Sequence, residues 1–177
     1  GPMSALYGSD AVGSVVQIFT RAGAARHAQL SQAAQDYQAS VQAGVGSAGF
    51  ASLAWSQQWR APGLVAGLQL SGLQSAALSA TNARVPFGSF DPDADPYRQT
   101  SANAQIGWQI APRLRLEVGA LRVQGRTAID DGPGVDSRAS LLSQVGQFSL
   151  QGQISEIWQS RLRWSEGIDG YRTLSSA

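Results

Sequence analysis

From Asp36 onward, apolar and polar residues alternate with a period of two. Residues 50–60 place Ala51, Leu53, Trp55 and Trp59 on one side and Ser52, Ser56 and Gln58 on the other, with Phe50 as the exception. Residues 101–110 set Ala102, Ala104, Ile106, Trp108 and Ile110 against Ser101, Asn103, Gln105, Gly107 and Gln109. In 114–120, Leu114, Leu116, Val118 and Ala120 oppose Arg115, Glu117 and Gly119, and near the end Leu162 and Trp164 oppose Arg161, Arg163 and Ser165. Alternation of this length predicts β-strands with one apolar face, about seven in all. Segments 64–75 and 138–152 depart from the pattern, which leaves their registers open.

The expected strands run to about ten residues or more, past the five or six of ordinary sheets and close to the length a tilted strand needs to cross a bilayer. Connections alternate in length. Ala61-Pro62-Gly63 and Ala111-Pro112-Arg113 read as tight turns, whereas 76–97 and 127–137 read as long loops carrying Pro, Gly and Asp. Short turns at one end and long loops at the other suit an outer-membrane barrel, and Trp55, Trp59, Trp108, Trp158 and Trp164 fall mostly towards strand ends, where an interfacial girdle sits. The same alternation also suits a secreted soluble β-sandwich. An odd, unclosed strand count suits only part of a barrel, because open edges do not survive in lipid.

Composition agrees with a half-lipid, half-wet sheet. Charged residues make up 14% of the chain, below the usual quarter, and Gly, Ala, Ser and Gln fill the gap. Thirteen basic and twelve acidic side chains leave no excess to draw nucleic acid. Cysteine is absent, which removes disulfides and thiolate metal sites. No apolar run is long enough for a spanning helix, and no secretory signal is visible.

The first 23 residues differ from the rest. Gly1-Pro2-Met3-Ser4-Ala5-Leu6-Tyr7-Gly8-Ser9-Asp10-Ala11-Val12-Gly13-Ser14-Val15-Val16 leads into a β-branched run that ends at Thr20-Arg21. Gly8 and Gly13 permit tight backbone turns, while Ser9 and Asp10 can satisfy local amides. Read on these residues alone, the stretch is a generic glycine-turn-strand unit. It also resembles the closing motif of the plug domain in TonB-dependent outer-membrane receptors, with Ser14 in place of that motif's second glycine. The matching positions include Ser4, Tyr7, Gly8, Ser9, Asp10 and Gly13, and the resemblance makes Gly1-Pro2 native sequence.

The resemblance implies the end of a plug over 1–23, a connector over 24–35 in which a short helix would fit, and the N-terminal part of a transmembrane antiparallel β-barrel over 36–177. It extends weakly into the barrel segment, closest to the cobalamin-receptor branch. That branch implies Ca²⁺ held by aspartates of the second and third extracellular loops, here Asp91, Asp93 and Asp95 in one and Asp130, Asp131 and Asp136 in the other. Spacing agrees: carboxylates at i, i+2 and i+4 of an extended segment share one side, and oxygen clusters suit Ca²⁺. An EF-hand does not fit, since Pro96 and Ala102 stand where glycine and glutamate are needed. A solvated acidic loop, neutralised by Arg84, Arg98, Arg126 and Arg138, is the equal alternative.

No enzyme chemistry is expected. His27 is the one histidine and lies in the connector, and Glu117, Glu156 and Glu166 show no acid/base pairing. Arg115, Arg161 and Arg163 are expected to face the lumen. The implied function is binding and import of cobalamin through the bacterial outer membrane. The TonB energy-coupling complex would act through an upstream plug segment, and outer-membrane lipid would surround the barrel. A ferric siderophore is the second substrate, and a non-transporting β-rich surface binding protein is the alternative of a different class.

Overall fold

The computed structural model describes residues 36–76, 84, 93–130 and 136–175, and of Asp130, Asp136 and Ser175 the backbone alone. The expected alternation becomes seven strands: β1 Asp36–Val45, β2 Ala51–Ala61, β3 Leu64–Ser75, β4 Tyr97–Ala111, β5 Leu114–Asp130, β6 Asp136–Gln153 and β7 Gln159–Ser175. They form one antiparallel sheet in the order β1-β2-β3-β4-β5-β6-β7, each strand hydrogen-bonded to its neighbours in sequence. The described residues contain no helix. The fold is all-β, consistent with part of a barrel, and the sheet is not closed. The plug-like motif with Ser4, Tyr7, Gly8, Ser9, Asp10 and Gly13, together with the connector and His27, lies outside the described residues.

Two ends of the sheet differ. At one, Pro62-Gly63, Pro112-Arg113 and residues 154–158 make the turns; at the other, the chain passes from strand to strand through 46–50, 76–96 and 131–135. Residues 127–137, expected as a long loop, are mostly ladder: β5 and β6 stay paired up to Asp130 opposite Asp136. The reason is chemical. Past Ala120 the apolar and polar sides of β5 exchange, so the strand continues while its pattern reads as broken.

The turn at Pro62-Gly63 shows how the sequence sets the reversal. The proline ring holds its own φ near −65°, and Gly63 takes φ +74°, a left-handed value that L side chains resist. Gln109 N–H then donates to Gly63 C=O at 2.6 Å, tying the turn to β4. Gly63→Ala is expected to destabilise by about 1 kcal/mol. Gly146→Ala, where an added Cβ meets nothing within 4 Å, should be near neutral. Urea midpoints of the full-length protein in detergent, compared between these variants, check the difference.

The strand registers sort side chains onto two faces. On the apolar face lie Tyr37, Val41, Leu53, Trp55, Trp59, Leu64, Leu68, Leu70, Ile106, Trp108, Leu116, Val118, Phe148, Leu150, Leu162 and Trp164. Buried apolar side chains among the described residues are only Val65 and Ala139, so no packed core absorbs this surface. Val41 is 67% exposed, Leu53 59% and Leu162 63%. An apolar sheet face of this extent needs a cover, which water does not provide.

The apolar belt is not level with the ladder. It reaches Val45 at the far end of β1, stops at Ala102 on β4 and at Ala120 on β5, and on β7 ends its continuous run at Trp164, with Leu142, Ile168 and Leu174 as outliers. The cross-strand row that begins at Val45 passes Ala51, Gln74, Arg98, Arg126 and Ser140 and arrives at Arg172, eight residues beyond Trp164. The belt therefore descends roughly eight residues over six strand-to-strand steps, which at about 3.3 Å rise and about 4.8 Å spacing is a tilt of about 40°. Strands of closed barrels incline by about 35–45° to the barrel axis.

Candidate functional site

The opposite face is built from neutral hydrogen-bonding groups. Along β1 to β4 it presents Gln38, Ser40, Gln42, Ser56, Gln58, Gln69, Ser71, Ser101, Asn103 and Gln105. Directly opposed serines bond across the ladder, Ser40 Oγ to Ser56 Oγ at 2.7 Å and Ser71 Oγ to Ser101 Oγ at 2.6 Å. Gln38 Nε2 donates to Asp36 Oδ2 at 3.1 Å and Gln58 Oε1 accepts from Arg60 Nη2 at 2.8 Å, and a hollow of about 610 Å³ opens among Gln38, Gln58, Gln69, Asn103 and Gln105. Such a surface offers donors and acceptors to a polar solute without committing to its charge.

Charge on this face is concentrated at the short-turn end and mostly matched. Arg60 Nη1 lies 3.2 Å from Asp36 Oδ2 and Arg115 Nη2 lies 2.7 Å from Glu117 Oε1. Arg161 Nη2 donates to Gln151 Oε1 at 2.9 Å. Arg115, Arg161 and Arg163 thus share the polar face, as the alternation implied. Towards the long-loop end the same face turns apolar, with Leu73, Leu121, Val123, Leu141 and Val145 beside Tyr97 and Tyr171. The hydroxyl of Tyr97 donates to Gln99 Oε1.

The two aspartate-bearing segments lie at this long-loop end. Asp93 is exposed and Asp95 is buried, both just before β4, while Asp130 and Asp136 form the last cross-strand pair of the β5–β6 hairpin. Pro96 C=O accepts from Ala128 N–H at 3.2 Å, which brings the end of the first segment against the hairpin that carries the second. Asp91 and Asp131 lie outside the described residues. Among the described residues no three acidic or imidazole side chains gather as a cation site would require. The glutamine-lined hollow is not evident along the sequence. Its signal is present in the polar half of each alternating strand, but only the registers place Gln38, Gln58, Gln69 and Gln105 side by side.

Trp59 and Trp108 stand on the apolar face near the short turns, Trp158 lies in the β6–β7 turn itself, and Trp164 ends the continuous apolar run of β7 on its long-loop side. At the long-loop side, Arg98, Arg122, Arg126, Arg138 and Arg172 follow the end of the belt on β4 to β7. Compared with known proteins, the chain matches no family model, no curated protein and no solved structure.

Proposed function

We propose that residues 36–177 are the opening part of a transmembrane β-barrel in a TonB-dependent outer-membrane receptor, with residues 1–23 the end of its plug. The observation that carries this reading is the slanted apolar belt. A sheet lying flat on a soluble partner has no reason to incline its apolar surface by about 40° to its own ladder, whereas tilted strands crossing a level bilayer require it. Support also comes from the one long connection, 76–96, at the end opposite the two-residue turns, and from the plug-like motif that precedes β1. In this reading the apolar face meets outer-membrane lipid, the glutamine- and serine-rich face lines the lumen, and the long-loop end faces the exterior. Import is driven through the plug by the inner-membrane energy-coupling complex.

Cobalamin is the first substrate, with Ca²⁺ held by Asp91, Asp93, Asp95, Asp130, Asp131 and Asp136. The support is the resemblance to the cobalamin branch and the contact between the two aspartate-bearing segments. A large solute rich in amide groups also suits a lumen of amides and hydroxyls. Calorimetric titration of cyanocobalamin into the full-length receptor in detergent, with Ca²⁺ and then with chelator, tests both parts. Binding that weakens on chelation is the expected result. Binding that ignores chelation removes the cation from the site, and no binding in either condition overturns cobalamin in favour of a ferric siderophore.

A further inference from the structure

On the apolar face, one cross-strand row carries small residues at its centre. It runs through Leu68, Ala104, Ala120, Gly146 and Glu166 on β3 to β7. The next row outward on this face runs through Leu70, Ala102, Arg122, Gln144 and Ile168. Between them lies a hollow of about 400 Å³, floored by the alanines and Gly146 and lined also by Arg122, Gln144 and Glu166. Along its own strand Glu166 stands between Trp164 and Ile168 on this face. Arg122 and Glu166 are both exposed, and neither makes an ion pair with a described residue.

The slant of the belt puts these polar groups at one depth. A drop of about eight residues over six strand-to-strand steps is nearly three residues over the two steps from β5 to β7. The row of Arg122 meets β7 at Ile168, so the residue of β7 level with Arg122 on this face is Glu166. Gln144 and Gly146 bracket the same level on β6. A cation and an anion flanking one strand at one depth are self-complementary about a twofold axis along the membrane normal. Such an axis preserves depth, so only residues of one level meet across it. With the axis at Gly146, Arg122 of each copy faces Glu166 of the other. The two Gln144 amides then face one another, each with a donor and an acceptor.

We infer that this face is the contact surface of a membrane homodimer, closed by two Arg122–Glu166 pairs across a twofold axis at Gly146. The inference rests on the membrane-barrel reading above. Charges beside hydrocarbon are costly unless paired, and small residues let membrane-embedded surfaces approach closely. A Cβ added at Gly146 meets nothing within 4 Å, so the position is open towards a neighbour. Lipid leaves Glu166 without a counter-charge between Trp164 and Ile168, whereas a second copy brings a cation to it at the matching depth. Arg98, Arg126 and Arg172 lie two rows of this face further out than Arg122, on the water side of the belt, where salt screens their repulsion.

The test uses the full-length protein in mild detergent, with folding read from heat-modifiable gel migration and stoichiometry from sedimentation velocity. The unaltered protein is expected to sediment as a dimer. Glu166→Arg and Arg122→Glu should each raise the dimer dissociation constant at least about tenfold, because each sets like charges opposite one another at both contacts. Mixed in equal amounts, the two variants should dimerise with each other, since every contact then joins opposite charges. A pair formed within one chain is not repaired by mixing. Gly146→Leu, whose side chain points outward and leaves the fold intact, should also prevent dimers by holding the two faces apart. A folded unaltered protein that stays monomeric, or folded variants that dimerise as it does, overturns the homodimer while leaving the barrel standing. Variants that stay apart when mixed overturn the Arg122–Glu166 contact. An unaltered protein that migrates alike with and without heating sinks the barrel reading and this one with it.

Discussion

Replacing Leu116 with arginine in the full-length protein is expected to lower its stability in lipid by about 2–4 kcal/mol. Leu116 sits within the run from Leu114 to Ala120 on the apolar face of β5, between Trp108 and Leu150 across the ladder. A guanidinium there must shed water or drag it into hydrocarbon, and both are costly at mid-bilayer and mild near the interface. The same substitution at Gln69, exposed on the polar face, should move stability by less than about 0.5 kcal/mol. Denaturant titration of both variants folded into vesicles measures the contrast. Equal costs would mean that the two faces see the same medium, and the membrane assignment of the apolar face would fall.

Glu117 is a different case from its neighbour. The alternation alone makes Glu117 a wet lumenal residue whose replacement by arginine is mild. In the structure it is a counter-ion, its carboxylate 2.7 Å from Arg115 Nη2, and the Arg115 side chain is only 11% exposed. Removing the carboxylate takes away one counter-charge from a largely covered cation. For a fully buried pair the loss is about 3–5 kcal/mol, and the 31% exposure of Glu117 scales it down, so Glu117→Gln is expected to cost about 1–2 kcal/mol and Glu117→Arg about 3 kcal/mol. Arg115→Leu combined with Glu117→Leu should recover part of the loss, because no lone charge then remains. A double-mutant cycle read by denaturant midpoint decides it. Coupling below about 0.5 kcal/mol would reduce the contact to an ordinary surface pair.

Strands are legible in the sequence where one face is continuously apolar. β2, β4 and the first half of β5 satisfy that condition, and their expected faces agree with the registers. β3 is harder, because Val65 and Leu73 lie on the polar face and Gly67 and Gly72 interrupt both. β6 carries Leu141 and Val145 opposite in facing to Leu142 and Leu150, which cancels any period of two. The second half of β5 is hidden for a related reason. Leu121 and Val123 turn to the polar face while Arg122, Gln124 and Arg126 turn to the apolar one. A strand that leaves an apolar zone midway must show such an exchange, and a window along one strand cannot distinguish it from a loop. Only comparison across strands does, since the exchange moves down the ladder from one strand to the next.

The candidate sites divide along the same line. Arg115, Arg161 and Arg163 fall on the polar face from alternation alone, because facing depends only on parity within a strand. The row of Arg98, Arg126 and Arg172 is not visible in the sequence, because these residues lie 28 and 46 positions apart and meet only through three successive registers. The aspartates are visible as spacing, but spacing gives no convergence, and Asp91 and Asp131 lie outside the described residues.

The order of the sheet bears finally on how such a chain assembles. Every ladder joins strands consecutive in sequence, so each strand that arrives from the N-terminal side finds its partner already in place. Growth then proceeds hairpin by hairpin, with contacts local enough to form quickly. One step stands apart. Docking β4 on β3 must close residues 76–96, and by the logarithmic cost of loop closure that is about 2 kcal/mol more than a two-residue turn. Assembly should pause there, with β1 to β3 formed and the bare backbone edge of β3 waiting for a strand whose loop has yet to settle.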